Sequence, residues 1–190
     1  RSPSRGLGDV YKRQPHRCYV ENITEYGSRL IQIIQFRIEN KPQAVHDWIV
    51  DRETNHIYAV TQLYPFNKER NGFATQIVKF NLPSINIPQV ILSDVDIEDS
   101  FEVFFPHILQ GGVIHNHTLY FPSGASADSQ LQYGKEKAIV IIDLKEKKIK
   151  RIIDVQDILN NEPEGGAFWG KSLIISCAPK GLYQFFLKDE

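Results

Sequence analysis

Five side chains have the types and positions to do chemistry: the adjacent pair His46-Asp47, the isolated His107, and the carboxylates Glu162 and Glu164. If the fold gathers them on one face, imidazoles and carboxylates of this kind can hold a hard or borderline divalent ion such as calcium. They can equally orient a polar ligand, such as a sugar, through hydrogen bonds. A carboxylate where a strand begins also has a structural use, accepting a backbone N–H from the neighbouring unit, and Asp47 and Glu164 suit that role too. Other groups are less eloquent. His115-Asn116-His117 reads as a hairpin turn in which Asn takes the left-handed position. The alternating acids of residues 94–99 lack the glycine and closing glutamate of an EF-hand and read as a solvated connection. Lys145-Glu146-Lys147-Lys148 reads as a charged turn, and 154–159 as one helical turn with Asp154 at its N-cap. There is no glycine-rich phosphate loop and no nucleophile elbow, and neither Ser123 nor Ser126 has an identifiable base nearby. Cys18 and Cys177 show no metal-binding spacing and read as buried free thiols.

The elements that must position these groups are short strands. Residues 17–23 and 29–36 are rich in β-branched side chains and bounded by turn residues. Three segments then share one outline, a tight hairpin followed after a connection by a third strand. The hairpins pair 44–51 with 56–61, 109–114 with 119–121, and 164–169 with 173–176; the third strands are 74–80, 138–143 and 182–187. The first two units add a fourth strand, 89–92 and 148–153. The equivalent positions Asp47, Gly112 and Gly166 are 65 and 54 residues apart. Repeated four-stranded units at this spacing predict an all-β chain, a β-propeller fragment of about three four-stranded antiparallel blades, with a single β-sandwich as the alternative. The expected units are an outer half-blade (15–38), a blade (44–93), a second blade (108–154) and a three-stranded last blade (162–190). Glycines at the inner strand starts let backbones approach closely around a channel. In a propeller, the connections into the innermost strand share a face with those between the second and third strands. That face would collect His46, Asp47, His107, Glu162, Glu164 and two long loops, 63–73 and 122–137. Tyr64, Phe66, Tyr133 and Trp48 would offer aromatic platforms there for a sugar ring or peptide.

Residues 4–14 (Ser-Arg-Gly-Leu-Gly-Asp-Val-Tyr-Lys-Arg-Gln) resemble a translated transposase-tagmentation sequencing adapter, so residues 1–14 are expected to be non-native and to stay out of the fold. The native protein would then be cut at its N-terminus, which removes any signal for location from view. Excluding that stretch leaves 18 basic against 22 acidic residues, a net charge of −4. Such a chain carries no basic footprint for nucleic acid. No apolar run approaches the roughly 18–20 residues of a membrane-spanning helix.

With Pro163-Glu164-Gly165 and His46-Asp47-Trp48 in place, residues 16–190 resemble the C-terminal half of six-bladed β-propellers. These include the NHL-like, TolB-like and gluconolactonase-like groups and uncharacterised secreted propellers of the Bacteroidetes type. In gluconolactonase-like enzymes a Glu-Gly-Pro motif supplies a carboxylate to a divalent metal. Glu164-Gly165 matches two of its three positions, and Asp47 matches one partner ligand. The resemblance thus implies either a binding propeller for a glycan, peptide or protein, or a metal-dependent hydrolase or lactonase with Asp47 and Glu164 as ligands. A purely structural scaffold is the remaining alternative. It also implies a periplasmic, cell-surface or extracellular location.

Overall fold

The computed structural model describes residues 17–63, 66–125 and 136–187. The adapter-like stretch 1–14, Tyr64, Ser126 and Tyr133 lie outside the described residues. The chain is all-β, with fifteen strands among the described residues and one short 3-10 turn, Asp94–Asp96. They form four successive sheets in a propeller-like arrangement, and the sandwich alternative falls.

The first sheet pairs β1 (Cys18–Thr24) with β2 (Gly27–Ile38), whose end turns back into β3 (Lys41–Pro42). The second runs β4 (Asp47–Asp51), β5 (His56–Gln62), β6 (Phe73–Asn81) and β8 (Ile97–Phe105). The third runs β9 (Val113–His115), β10 (Thr118–Ser123), β11 (Ala138–Asp143) and β12 (Lys148–Asp154). The fourth is three-stranded: β13 (Glu162–Trp169), β14 (Ser172–Ala178) and β15 (Leu182–Phe186).

One strand changes owner. Residues 89–92 do form a strand, β7 (Gln89–Leu92), but it does not complete the second sheet. It crosses to the first and pairs parallel with β2, Ile33 opposite Gln89 and Phe36 opposite Leu92. Ile33 and Ile34 of β2 pair simultaneously with β1, so β7 occupies the other edge of β2. The fourth strand of the second sheet is β8, whose first residues coincide with the stretch expected to be a solvated acidic connection. Its alternation of Ile97, Asp99, Phe101, Val103 and Phe105 is the period-2 signal, and the acids at its start masked it. Ser93 and Asp96 close the turn before it in a capping box, with the Ser93 backbone N–H and hydroxyl both donating to Asp96 Oδ2 at 2.8 Å.

Three apolar seams join the four sheets. Ile57, Ala59, Val78 and Phe80 face Ile34 and Phe36 of the first sheet. The alternate residues Tyr58, Val60 and Ile77 face Leu119, Phe121, Val140 and Ile142 of the third. Ile139 and Ile141 then turn the other way, onto Leu173 and Ile175 of the fourth. Middle strands buried on both faces lose their polar alternation, which is why β5 and β11 read as continuous apolar runs. The far face of the fourth sheet carries Trp169, Leu182 and Phe186, all largely exposed, and no apolar cluster among the described residues joins it to the first sheet. Cys18 and Cys177 are free, half-buried and buried respectively, and burial pushes both thiols up. Among the described residues no helix is long and apolar enough to cross a membrane.

Candidate functional site

β5 runs from His56 at one end of the second sheet to Gln62 at the other, and the candidate residues gather at the Gln62 end. The Gln62 backbone N–H donates to His46 Nδ1 at 3.1 Å, while its side-chain amide donates to the His107 carbonyl at 3.0 Å and accepts from the Leu109 N–H at 3.0 Å. Gln62 is 1% exposed, so its amide acts as a buried staple between the second sheet and the connection entering the third. One residue further on, Gln110 Nε2 donates to the Gly124 carbonyl at 2.9 Å and to Glu162 Oε1 at 3.1 Å. A polar line therefore runs from His46 through Gln62 to the backbone of residues 107–109, and from the adjoining Gln110 side chain to Glu162, across three successive sheets. Buried His107 Nδ1 has no hydrogen-bond partner among the described residues, and burial lowers the His107 pKa against the opposing pull of Glu136 and Asp154. One ring nitrogen is thus uncommitted.

The two carboxylates singled out for metal behave differently from each other. Asp47 Oδ2 accepts the backbone N–H of Gly112, its equivalent in the next sheet. Burial pushes the Asp47 carboxyl up to about 6, outweighing the hydrogen bonds from Gly112 and Trp48 that favour the charged form. Glu164 faces solvent at the start of β13, and its pKa is raised by partial burial first and by the neighbouring Glu162 second. It is the Glu164 backbone that ties the sheets: its carbonyl accepts the Gly111 N–H at 3.1 Å, and the Gly166 N–H returns to the Gly111 carbonyl at 3.1 Å. Gly111 and Gly165 thereby form a parallel bridge between neighbouring sheets. Only glycine tolerates this approach: a Cβ on Gly111 would lie 3.0 Å from the Glu164 carbonyl oxygen, and one on Gly112 only 2.4 Å from the Phe121 ring. Among the described residues no three His, Cys, Asp or Glu side chains form a group that could hold a metal ion.

Two of the expected aromatic platforms are committed elsewhere. Trp48 is packed half-buried against the first seam, with its indole N–H buried and unpartnered. Phe66 stacks edge-on against Phe73, ring centroids 5.0 Å apart, over a small cluster with Ile108 and Ala125. Trp48 packs from within β4 and Phe66 from the connection between β5 and β6, contacts that single-residue chemistry does not reveal. The two histidines of the β9–β10 turn also part company. Asn116 and His117 take positive φ (48° and 57°), while His115 stacks on Phe168 with centroids 4.2 Å apart. Asp154 does accept the Gln156 N–H at 2.9 Å at the head of a single turn, and Ser123 is buried, donating to the Ala138 carbonyl. Lys147 leaves the solvated turn to pair with Asp99 of the second sheet at 2.7 Å.

Sequence reasoning missed Gln62 and Gln110. A signal existed for the second, since Gln110 stands two residues before Gly112 as Glu164 stands two before Gly166. Nothing in the run 57–61 marks the glutamine that ends it.

No protein-family model matches this chain, and no curated protein matches it. Among solved structures, the chain is similar to the crystal structure of the computationally designed Ika4 protein. The TM-score is 0.37 at 9% identity, over 81% of this chain and 98% of that one. A likeness at that level adds no weight, so the propeller-like reading rests on the succession of four sheets and three seams.

Proposed function

We propose that this protein is a binding propeller whose ligand, a glycan or peptide, meets the face where β5 ends and β9 and β13 begin. The observation that carries this reading is the polar line from His46 to Glu162, which ends in hydrogen-bonding capacity not spent within the fold. His107 Nδ1 is buried and unpartnered, and the exposed Glu164 carboxylate lies beside Glu162. Buried polar atoms without partners are costly in a fold that does nothing with them. The long connections that follow β5 and β10 leave their strands at this end, at Gln62 and Ser123, and long loops on a rigid β scaffold are a usual home for recognition. The exposed face of the fourth sheet fits a larger ring, such as the six-bladed one implied by the resemblance, in which another blade would cover Trp169, Leu182 and Phe186.

The test is a panel of neutral and acidic oligosaccharides and peptides titrated calorimetrically against the protein, its Glu164→Gln variant and its His107→Phe variant. A ligand whose affinity drops about tenfold or more in either variant supports the site, this being the loss of one hydrogen bond to a charged or buried partner. A ligand bound equally by all three proteins would move the function to another surface. The metal-dependent rival has its own readout: elemental analysis of the purified protein should find a stoichiometric divalent ion that Glu164→Gln loses.

A further inference from the structure

At the opposite ends of the same strands lies a second concave site, a cavity of about 230 Å³ between the second and third sheets. Strand register builds one wall. Tyr58 on β5 stands opposite Lys79 on β6, and Lys79 opposite Asp99 on β8, so the three side chains form one cross-strand row. Lys145 and His117 approach from the two hairpin turns of the third sheet, and Phe101 adds an apolar floor. The cavity therefore exists because the apolar seam stops short: Leu119, Val140 and Ile142 fill it further up, and polar residues replace them at this end.

The inventory of partners is unbalanced. Tyr58 is 5% exposed and lines the cavity, yet its hydroxyl makes no hydrogen bond among the described residues. Burial, with Asp51 and Asp99 adding to it, pushes this phenol up to about 12, so it is a donor at any ordinary pH. The carboxylates nearby are already engaged. Asp99 is bound by Lys147 at 2.7 Å, Asp51 holds the Thr54 hydroxyl at 2.6 Å and the Glu53 N–H at 3.0 Å, and Glu98 accepts from Asn81. Neither Lys79 nor Lys145 has an ion pair within 4 Å among the described residues. The field of Lys79 reaches His56, whose pKa is lowered first by burial and then by that lysine. Two ammonium groups, a phenol and the His117 imidazole thus line a space large enough for a small ligand, together with Asp99, already held by Lys147, and His56, whose Nδ1 is engaged by Thr54 at 2.8 Å.

We infer that this cavity binds a small, doubly charged oxyanion of the phosphate or phosphate-monoester class, with Lys79 and Lys145 neutralising it and the Tyr58 hydroxyl donating from the buried side. Lysine ammoniums serve as point charges for such groups, and a hydroxyl donor to a charged acceptor makes a short, strong bond. The site is separate from the polar line at the other ends of the strands and stands or falls independently of it.

The experiment titrates inorganic phosphate into the protein at fixed pH and ionic strength, following the imidazole signals of His56 and His117 by NMR. A saturable shift of both signals is expected, reproduced by sulfate but not by acetate or chloride. Lys79→Gln and Tyr58→Phe should each weaken the phosphate effect by about tenfold, the loss of one contact to a charged group, while Tm stays close to the parent value. No saturable shift in the unaltered protein would overturn the proposal, whatever the variants do. Acetate matching phosphate would overturn the doubly charged class, and undiminished binding in both folded variants would overturn the assigned residues.

Discussion

The second and third seams solve the same problem with different chemistry. Each must fasten the inner strand of one sheet to that of the next, close to the centre, where backbones crowd. Between the second and third sheets the fastening is a side chain, with the Asp47 carboxylate accepting the Gly112 N–H. Between the third and fourth it is chiefly backbone, the paired hydrogen bonds of Gly111 with Glu164 and Gly166, with one side-chain bond from Gln110 to Glu162 beside them. The first arrangement leaves room for a thick apolar seam in which Phe105 and Phe121 meet edge to face, centroids 5.3 Å apart. The second sets backbone against backbone at Gly111 and Gly165, with His115 stacked on Phe168 beside an aliphatic seam of Ile139, Ile141, Leu173 and Ile175. A carboxylate clasp titrates; a backbone bridge does not. The two seams should therefore differ in their response to pH, to cavities and to added bulk.

The largest effect is expected from emptying the thick seam. Phe121→Ala removes a ring that is 0% exposed and should cost about 3–5 kcal/mol in denaturant unfolding. A smaller loss would show that the second and third sheets close over the gap. The clasp comes next. The Asp47 carboxyl titrates at about 6 in the fold against its ordinary 3.8, so the folded state holds the proton more tightly. Stability on this account is fully present below the unfolded value and declines as pH rises through about 6, by at most about 3 kcal/mol at 1.36 kcal/mol per unit. Asp47→Asn keeps an acceptor for Gly112 and removes the charge. Its unfolding free energy should lack that decline, leaving it at least as stable as the parent at neutral pH. A parallel pH profile in parent and variant would dismiss the titrating clasp.

Added bulk probes the backbone bridge. Gly111→Ala places a methyl 3.0 Å from the Glu164 carbonyl oxygen and should destabilise by about 1–3 kcal/mol, independent of pH between 4 and 7. His115→Ala at the same seam should cost about 0.5–1.5 kcal/mol beyond its buried area, the worth of one stacked pair, read from unfolding midpoints. The smallest effect belongs to the rim of the thick seam. The Lys147–Asp99 pair is substantially exposed, with 43% and 41% of the side chains accessible, so Lys147→Ala should cost under about 1 kcal/mol and less at high salt.

These contrasts also show what could be read without coordinates. The hairpin outline repeated at 44–61, 109–121 and 164–176 became β4–β5, β9–β10 and β13–β14 because period-2 patterning and turn residues are local properties. Glycines at 112 and 166 announced close approach, which the Phe121 contact and the Gly166 hydrogen bond to the Gly111 carbonyl bear out. The ownership of β7 was not legible, since an apolar tetrapeptide carries no mark of which sheet edge it will meet. Nor was the fate of Trp48 and Phe66, since exposure is decided by what the rest of the chain leaves uncovered. Of the site, the carboxylates and imidazoles were visible as types, whereas Gln62, which staples two sheets together, looked like the polar end of a strand.

By itself, then, the sequence determined the strand-rich class, the three repeated hairpins and which strand starts carry titratable groups, because these follow from dihedral preference and alternation along the chain. Only the tertiary structure decided that Asp47 fastens one sheet to the next while Glu164 remains open, that His107 keeps a nitrogen uncommitted, and that a donor-rich cavity forms where the Tyr58–Lys79–Asp99 row meets Lys145. Those outcomes depend on groups 30 or more residues apart meeting across a seam, and on how much water each meeting excludes. Neither quantity is written in any local stretch of the chain.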